Sequence, residues 1–306
     1  MHAAYTPRRV ARTEHIAVRG LRCQVHRWGN PALVTAARPP LLLMHGWMDV
    51  AASFQFVVDA LAQDRHVIAA DWRGFGGSES PQPSDSYSMA DYLGDLDGIV
   101  DAISPDAPID LVGHSLGGNV VMLYAGVRPQ RVRRLVNLEG FGLPQAKPEL
   151  APKRFAQWLD ELKTPQQLRD YASVDEVAQR LQKNNPRLAA DQAAWLAPHW
   201  SRLDAATGRW VIQGDPAHKR TNPVLYRVEE VLACWQRIEC PLLWIEGENT
   251  DIGKWWGERY TKAEFDARLA VVAQVERHAL ADCGHMPHHD QPQQVAALIE
   301  AFLERA

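Results

Sequence analysis

A serine between small residues is the feature of this sequence that most clearly carries chemistry. Ser115 is the centre of a G-x-S-x-G motif formed with Gly113 and Gly117. A serine hydroxyl can attack an acyl carbon when it is exposed on a sharp turn, and such a turn tolerates only small neighbours. Residues 109–113 are mostly apolar, with Asp110 the exception, and residues 119–127 are typical of a helix, so the motif connects a strand to a helix. We therefore predict that Ser115 is a nucleophile.

Alternating strands and helices surround this motif. An initial hairpin is predicted over 15–18 and 21–28, with a tight turn at Arg19-Gly20. Further strands are predicted at 39–44, 66–70, 109–113, 132–138, 241–246 and 275–280, and helices at 51–62, 89–103, 119–127, 263–273 and 293–305. Continuous apolar strands that alternate with helices indicate a mostly parallel sheet covered on both faces, which defines an α/β fold.

The pattern changes after Gly140. Residues 143–235 are rich in Gln, Arg, Ala, Asp and Trp, show helical periodicity and contain no run typical of a buried strand. We therefore predict a core domain formed by residues 1–142 and 236–306, with residues 143–235 inserted into it as a helical cap.

Composition and charge narrow the classes of function. The chain has 306 residues, of which 46% are hydrophobic and 23% charged, as in a globular protein with a large core. The net charge of -4 argues against nucleic acid as a partner. The four scattered cysteines are expected to be free thiols, and no apolar run suggests a signal peptide or a membrane span. We expect a cytoplasmic protein that acts on a small molecule, without a membrane partner.

Three further motifs accompany the serine motif. His45-Gly46-Trp47 follows an early strand, residues 71–78 read D-W-R-G-F-G-G-S, and residues 284–287 read G-H-M-P. With these motifs the sequence resembles the α/β-hydrolase fold superfamily over about residues 14–142 and 236–305. The resemblance implies a mostly parallel central sheet flanked by helices, an inserted cap and no metal or organic cofactor.

The resemblance also implies roles for individual residues. His285 lies in a loop after the last predicted strand, where the family has its catalytic base. The backbone N–H groups of Trp47 and Leu116 would form the oxyanion hole, and Leu116 opens the helix whose positive dipole end points at the serine. Asp71 and Arg73 are expected to hold their own loop together by hydrogen bonds rather than to contact substrate.

The carboxylate that orients the histidine is expected after the penultimate strand. Asp251 is four positions after Gly247, one further than in many relatives, and we predict that it is the acid. Glu248 and Glu139 remain alternatives, the latter because some relatives use an acid after the strand that precedes the insertion.

Histidine and tryptophan residues raise two further questions. His285, His288 and His289 form an H-x-x-H-H pattern, but no metal site is expected there. The eleven tryptophans predict an aromatic cavity between cap and core that would favour a hydrophobic substrate. The residues expected to line it are His114, Phe141, Trp158, Trp195 and Trp200.

Together these features predict a serine hydrolase that cleaves carboxylic esters through an acyl-enzyme with Ser115, Asp251 and His285. Carbon–carbon bond hydrolases, lactonases, amidases and perhydrolases with the same three residue types remain alternatives. A binding protein with an inactive set of these residues is a further alternative from another class.

Overall fold

The computed structural model describes residues 5–305 of the chain. In this range the strands are β1 (Arg12–Val18), β2 (Leu21–Trp28), β3 (Leu41–Met44), β4 (Val67–Ala70), β5 (Ile109–His114), β6 (Val132–Leu138), β7 (Asp170–Tyr171), β8 (Ser201–Asp204), β9 (Arg209–Ile212), β10 (Leu242–Gly247) and β11 (Val275–Leu280). Eight of them form the central sheet in the order β1-β2-β4-β3-β5-β6-β10-β11. All neighbours from β4 to β11 are parallel, whereas β2 is antiparallel to both β1 and β4.

Helices cover this sheet and form most of the insertion. They are α1 (Gln55–Ala60), α2 (Met89–Ile103), α3 (Leu116–Val127), α4 (Ala151–Leu162), α5 (Val174–Asn184), α6 (Ala190–Trp200), α7 (Val228–Trp235), α8 (Gly253–Trp256), α9 (Lys262–Leu269), α10 (Pro287–Asp290) and α11 (Pro292–Leu303). The longest of these helices, α2, has 15 residues. In the described part of the chain, no helix is long and apolar enough to cross a membrane.

The apolar strands have this arrangement because both faces of the sheet are buried. Successive side chains of a strand point to opposite faces. Leu42 and Met44 of β3 pack in a cluster with α2 and α3, whereas Leu41 and Leu43 pack in a second cluster with α1 and α11. All four are at most 1% exposed, which explains the continuous apolar run.

The predicted α/β-hydrolase fold class is confirmed, with small differences at element ends. The predicted helix at 51–62 begins as a 3₁₀ turn over Ala51–Phe54 before α1 starts. Helix α9 ends at Leu269, where the β-branched pair Val271 and Val272 follows, rather than at residue 273. The initial hairpin is confirmed, and both turn residues, Arg19 and Gly20, have positive φ.

The segment 143–235, predicted to be a helical insertion, also contains short strands that the sequence analysis did not predict. Besides α4 to α7, this segment contains a second, antiparallel sheet in the order β7-β9-β8. These strands have two to four residues each and include exposed positions, so they lack the apolar run by which a buried strand is detected. The division into core and cap remains a prediction.

Apolar side chains connect this insertion to the core. Val177 of α5 and Leu196 of α6 are fully buried in a cluster that also contains Val50 and Phe56 from the start of the core. The insertion therefore packs on the segment that follows β3, the segment that contains the predicted oxyanion loop.

Candidate active site

The turn between β5 and α3 has an unusual backbone at Ser115. Its φ of 51° and ψ of -111° lie outside the regions that non-glycine residues normally adopt. The Ser115 N–H donates to the Leu138 carbonyl at the end of β6 (2.8 Å), and the Ser115 carbonyl accepts from the Asn119 N–H (2.9 Å). The predicted strand–serine–helix arrangement is thus present, and its strain is held by hydrogen bonds on both sides.

Two glycines make this turn possible. A Cβ atom on Gly113 would lie 2.4 Å from the Gly117 carbonyl oxygen, and one on Gly117 would lie 2.3 Å from the Met44 oxygen. Both distances are far below van der Waals contact. The motif therefore needs glycine at these positions because the backbones of β3, β5 and α3 approach one another there.

His285 connects the serine to a buried carboxylate. Its Nε2 is 2.9 Å from the Ser115 Oγ, and its Nδ1 is 3.0 Å from Oε2 of Glu139. A carboxylate accepts the Nδ1 proton, which leaves Nε2 free to accept the serine proton. The imidazole is partly exposed, whereas the Glu139 side chain is fully buried. Serine, histidine and glutamate thus form one continuous hydrogen-bond chain.

The backbone at the ends of two strands fixes the Glu139 carboxylate. Glu139 follows β6 with a φ of 60°, and its N–H donates to the Ile245 carbonyl of β10 (3.1 Å). Its second oxygen, Oε1, accepts the Gly247 N–H at 2.6 Å. With one oxygen bound by Gly247, the other is directed at His285.

The prediction that Asp251 contacts the histidine is corrected by this geometry. Asp251 is exposed, and its Oδ1 accepts the Gly253 N–H (2.9 Å) in the turn that begins α8. Glu248, the second alternative, is also exposed. Of the three candidate acids, only Glu139 has its carboxylate hydrogen-bonded to the imidazole. It is in reach because β6 lies between β5 and β10 and ends beside the serine.

Burial shifts both ionisable partners in the hydrogen-bond chain. It raises the pKa of Glu139 to about 8, against the opposing effect of the Gly247 hydrogen bond. Among the charges nearby, Glu246 raises this pKa further and Lys262 lowers it. Burial also lowers the pKa of His285 to about 4, with Asp290 acting in the opposite direction. Both shifts disfavour charge at the site.

The predicted oxyanion donors flank the serine. Leu116 is the first residue of α3, so its N–H has no acceptor within the helix. A Cβ atom on Gly46 would lie 3.2 Å from the Ser115 Cβ, which places the loop of Trp47 directly against the nucleophile. Among the described residues, neither the Trp47 nor the Leu116 N–H donates to a backbone or side-chain acceptor. Both therefore remain available to an oxygen bound beside Ser115.

The D-x-R-G-x-G-x-S loop supports this arrangement. Asp71 is fully buried and accepts the N–H groups of Ala51 (2.7 Å) and Gly77 (2.9 Å). Arg73 forms a two-pronged ion pair with Asp95 of α2. Both contacts agree with the predicted structural role of this loop.

Two of the three predicted cap tryptophans, Trp195 and Trp200, pack between the insertion and the core. The Trp195 ring lies 5.6 Å from that of Tyr5 and 5.7 Å from that of Phe56. Trp200 is buried in the same cluster. The structure assigns these two side chains to packing between insertion and core, because large aromatic residues stabilise such contacts whatever the function.

The remaining predicted substrate residues have three different surroundings. His114 is buried and its Nε2–H donates to the His285 carbonyl (2.7 Å), so it supports the histidine loop instead of facing substrate. Phe141 lines a cavity of about 470 Å³ next to Gly247, on the Glu139 side of the site. Trp158 is half-buried on α4, and its contact with substrate remains a prediction.

One neighbour of the histidine carries no motif that could have identified it. The Trp255 ring lies 4.5 Å from the His285 ring in an edge-on contact, although the side chain is 41% exposed. Trp255 belongs to the short helix α8, whose position follows from the turn after β10 rather than from a local pattern.

Comparisons with known proteins agree with this fold. The profile of the alpha/beta hydrolase fold family matches residues 39–292, so the chain belongs to that family. It is similar to serine hydrolase-like protein 2 of Homo sapiens, with 24% identity over 277 residues and 87% of each chain covered. It is also similar to the 3-hydroxybutyrate-oligomer hydrolase of Cupriavidus necator, with 27% identity over 298 residues and 92% of each chain covered.

A solved structure shows the same fold. The thioesterase domain from the curacin biosynthetic pathway superposes with a TM-score of 0.81 and 24% identity, covering 95% of this chain and 99% of that domain. Family membership and the similar curated hydrolases together identify the chain as a hydrolase.

The hydrogen-bond geometry predicts which acid matters for hydrolysis. Replacing Glu139 by Gln keeps the side-chain shape but removes the charge that orients and stabilises the imidazole. We expect kcat/KM for p-nitrophenyl acetate to fall by about 10³–10⁴-fold. Asp251→Asn is the matched control and should change it by less than about threefold, because this exposed carboxylate only completes a turn. A large loss in Asp251→Asn with little in Glu139→Gln would contradict the geometry.

Burial of the glutamate predicts an alkaline pH profile. General-base action by His285 needs an ionised Glu139 and a neutral imidazole. Because burial raises the pKa of Glu139 to about 8, its carboxyl group stays protonated until the pH approaches that value. We therefore expect kcat/KM for an uncharged ester to rise with pH to a midpoint near that value. Initial rates measured by pH-stat test this midpoint. The control variant Asp251→Asn should have the same midpoint as the wild type. A profile already flat from about pH 6 upward would contradict it.

Proposed function

We propose that this protein is a serine hydrolase that cleaves carboxylic esters of small hydrophobic molecules through an acyl-enzyme. The observation that carries the proposal is the continuous chain from the Ser115 hydroxyl through His285 to the buried Glu139. A serine on a strained turn, hydrogen-bonded to a histidine that a carboxylate orients, is the arrangement that nucleophilic acyl transfer requires.

Acylation uses the two ring nitrogens of His285 in sequence. His285 Nε2 accepts the Ser115 proton as Oγ bonds to the carbonyl carbon of the ester, which gives a tetrahedral intermediate with a negative oxygen. The Glu139 carboxylate stabilises the imidazolium through Nδ1–H. The imidazolium then donates its Nε2 proton to the leaving alkoxide oxygen as the carbon–oxygen bond breaks. An alcohol and an acyl-serine result.

Deacylation repeats these steps with water. His285 takes a proton from a water molecule that attacks the acyl carbon, and returns it to Ser115 Oγ as the acid leaves. In both intermediates the backbone N–H groups of Leu116 and Trp47 would donate to the oxyanion. Loss of one such donor typically costs about 3–4 kcal/mol of transition-state stabilisation. Neither half of this reaction uses a metal or an organic cofactor.

Exposed aromatic residues beside the reactive atoms support a hydrophobic substrate. The Trp47 side chain is 54% exposed in the loop against Ser115, and Trp255 is 41% exposed against His285. Large apolar side chains exposed around a polar centre are typical of ligand sites. The Cupriavidus necator relative is named for hydrolysis of 3-hydroxybutyrate oligomers, which are esters of a short hydroxy acid.

We also propose that residues 143–235 act as the cap over this site. The insertion is joined to the D-x-R-G-x-G-x-S loop by backbone hydrogen bonds from Gly76 N–H to the Gln213 carbonyl (3.0 Å) and from Asp215 N–H to the Gly74 carbonyl (2.8 Å). Helix α4 and the turn before it have exposed apolar side chains at Leu150, Phe155 and Leu159. Such a cap would exclude water from the acyl-enzyme.

Covalent labelling tests the proposed chemistry. We expect a fluorophosphonate probe to label the wild-type protein on Ser115, because its phosphorus mimics the acyl carbon under attack. The variant Ser115→Ala should not be labelled, and Asp251→Asn should be labelled like the wild type. Peptide mass spectrometry identifies the modified residue. A folded wild-type protein without label would indicate a binding protein and contradict the proposal.

Acyl-chain preference tests the hydrophobic site. We expect Trp47→Ala and Trp255→Ala to raise KM for p-nitrophenyl octanoate about tenfold, and KM for the acetate less than about twofold, because only the long chain loses apolar contact. Trp210→Ala, in the half-buried β9 of the insertion, is the control and should alter neither.

The same assay separates the related chemistries. Lactones and vinylogous diketones included in the panel distinguish ester hydrolysis from lactonase and carbon–carbon bond cleavage. Equal effects of the tryptophan variants on both esters would contradict a site built for hydrophobic acyl groups.

A further inference from the structure

A cluster of three buried polar side chains lies next to the nucleophile. Asp49, His114 and His288 are 5%, 2% and 0% exposed, and one ligand-type atom from each lies within 4.8 Å of the others. His114 directly precedes Ser115, Asp49 follows the predicted oxyanion loop, and His288 is three residues after His285. The cluster therefore joins the three segments that carry the site.

Hydrogen bonds among the described residues leave this cluster unsatisfied. The Asp49 Oδ2, the His114 Nδ1 and both ring nitrogens of His288 are buried without a hydrogen-bond partner. His288 Nε2 and Asp49 Oδ2 lie 3.5 Å apart, which allows only a long and weak ion pair. Polar atoms that stay unpaired in a protein interior are strongly destabilising, so the His114 and His288 Nδ1 atoms, beside this long Asp49–His288 contact, indicate a bound species.

The orientation of His114 shows what kind of species fits. Its Nε2 lies 2.7 Å from the His285 carbonyl oxygen, and a carbonyl only accepts, so Nε2 carries the proton. In the neutral ring, Nδ1 then presents a lone pair to the cluster. A histidine that ligates a metal ion commonly donates its other N–H to a backbone carbonyl in this way.

The Asp49 carboxylate also presents an unpaired oxygen to the cluster. Asp49 Oδ1 accepts the Ser53 hydroxyl, which leaves Oδ2 directed at the histidines. Residue 46 must be glycine for the His114 ring to fit, since a Cβ atom on Gly46 would lie 2.8 Å from the His114 Nδ1. Two imidazole nitrogens and one carboxylate oxygen form a donor set for a cation rather than for an anion or an apolar group.

We propose that Asp49, His114 and His288 bind a divalent transition-metal ion, with Zn²⁺ the best match for this donor set. Zinc prefers tetrahedral sites with imidazole nitrogen and carboxylate oxygen at about 2.0–2.2 Å, so ligand atoms contract to about 3.5 Å from one another on binding. His289 follows His288 directly and is also buried, with both ring nitrogens unpaired, but only Asp49, His114 and His288 bring ligand atoms within 4.8 Å of one another.

The role of this ion is structural. It joins the loop after Trp47, the residue before the nucleophile and the segment after the histidine, through side chains that are all buried. Structural zinc sites stabilise the fold by such cross-links, whereas catalytic zinc sites keep a position open for water or substrate.

Metal content of the 306-residue chain, prepared without a polyhistidine tag, tests the proposal. After dialysis against a chelator and titration with ZnSO₄, we expect one zinc per chain by mass spectrometry of the metal and a rise in Tm of at least about 3 °C. Cobalt(II) in place of zinc should give the visible absorption of a tetrahedral site with nitrogen ligands. His288→Gln and Asp49→Asn should lose the stoichiometric zinc and the Tm shift.

The control is His278→Gln, in a surface pair with Glu276, which should bind zinc like the wild type. Wild-type protein that binds no zinc and gives no cobalt spectrum would overturn the proposal and leave water as the species in the cluster; this holds even if a variant fails to fold. Equal zinc in His288→Gln and wild type would overturn it as well. Labelling of Ser115 is a separate measurement, so failure of the zinc site is distinguishable from failure of the hydrolase.

Discussion

The hydrogen bond between Glu139 and His285 is the interaction on which the rest of the site depends. It joins residues that follow β6 and β11, and its partners are fixed by the sheet itself. The strand order β5-β6-β10-β11 places the carboxyl ends of these four strands side by side. Ser115, Glu139 and His285 follow three of them, and Gly247, which ends β10, holds the glutamate from the fourth. Parallel strands thus convert residues far apart in sequence into neighbours whose hydrogen-bonding atoms lie 2.9 and 3.0 Å apart.

Two of the residues that meet at this edge of the sheet have strained backbones, and the glutamate among them is buried. Both Ser115 and Glu139 have positive φ, and each is held in that conformation by a backbone hydrogen bond to the neighbouring strand. Gly113 and Gly117 allow the close approach that exposes the serine. Burial of the glutamate raises its pKa, although the Gly247 N–H stabilises the carboxylate. The site is therefore positioned by rigid elements and not by the insertion.

Local patterns predicted much of this from the sequence. Ser115 and the strand before it follow from a motif whose glycines have direct steric causes, whereas His285 was expected from the resemblance of its G-H-M-P segment to the family. The prediction of Asp251 as the acid was wrong, because Asp251, Glu248 and Glu139 all come after strands of the same sheet. Only the direction of each side chain distinguishes them, and that depends on the turn after β10 and on the Gly247 N–H. The small sheet of the insertion was missed because its strands are too short to show alternation. Asp49 and His288 are far apart in sequence, and only the fold brings them together.

The central claim is that Glu139 acts only through His285. The direct test compares kcat/KM for one ester in His285→Ala, Glu139→Gln and the double variant. If the two residues form one unit, the double variant has the kcat/KM of His285→Ala within about threefold, because the glutamate has nothing left to orient. If the two losses multiply in the double variant, Glu139 acts independently of the histidine, and the claim is contradicted.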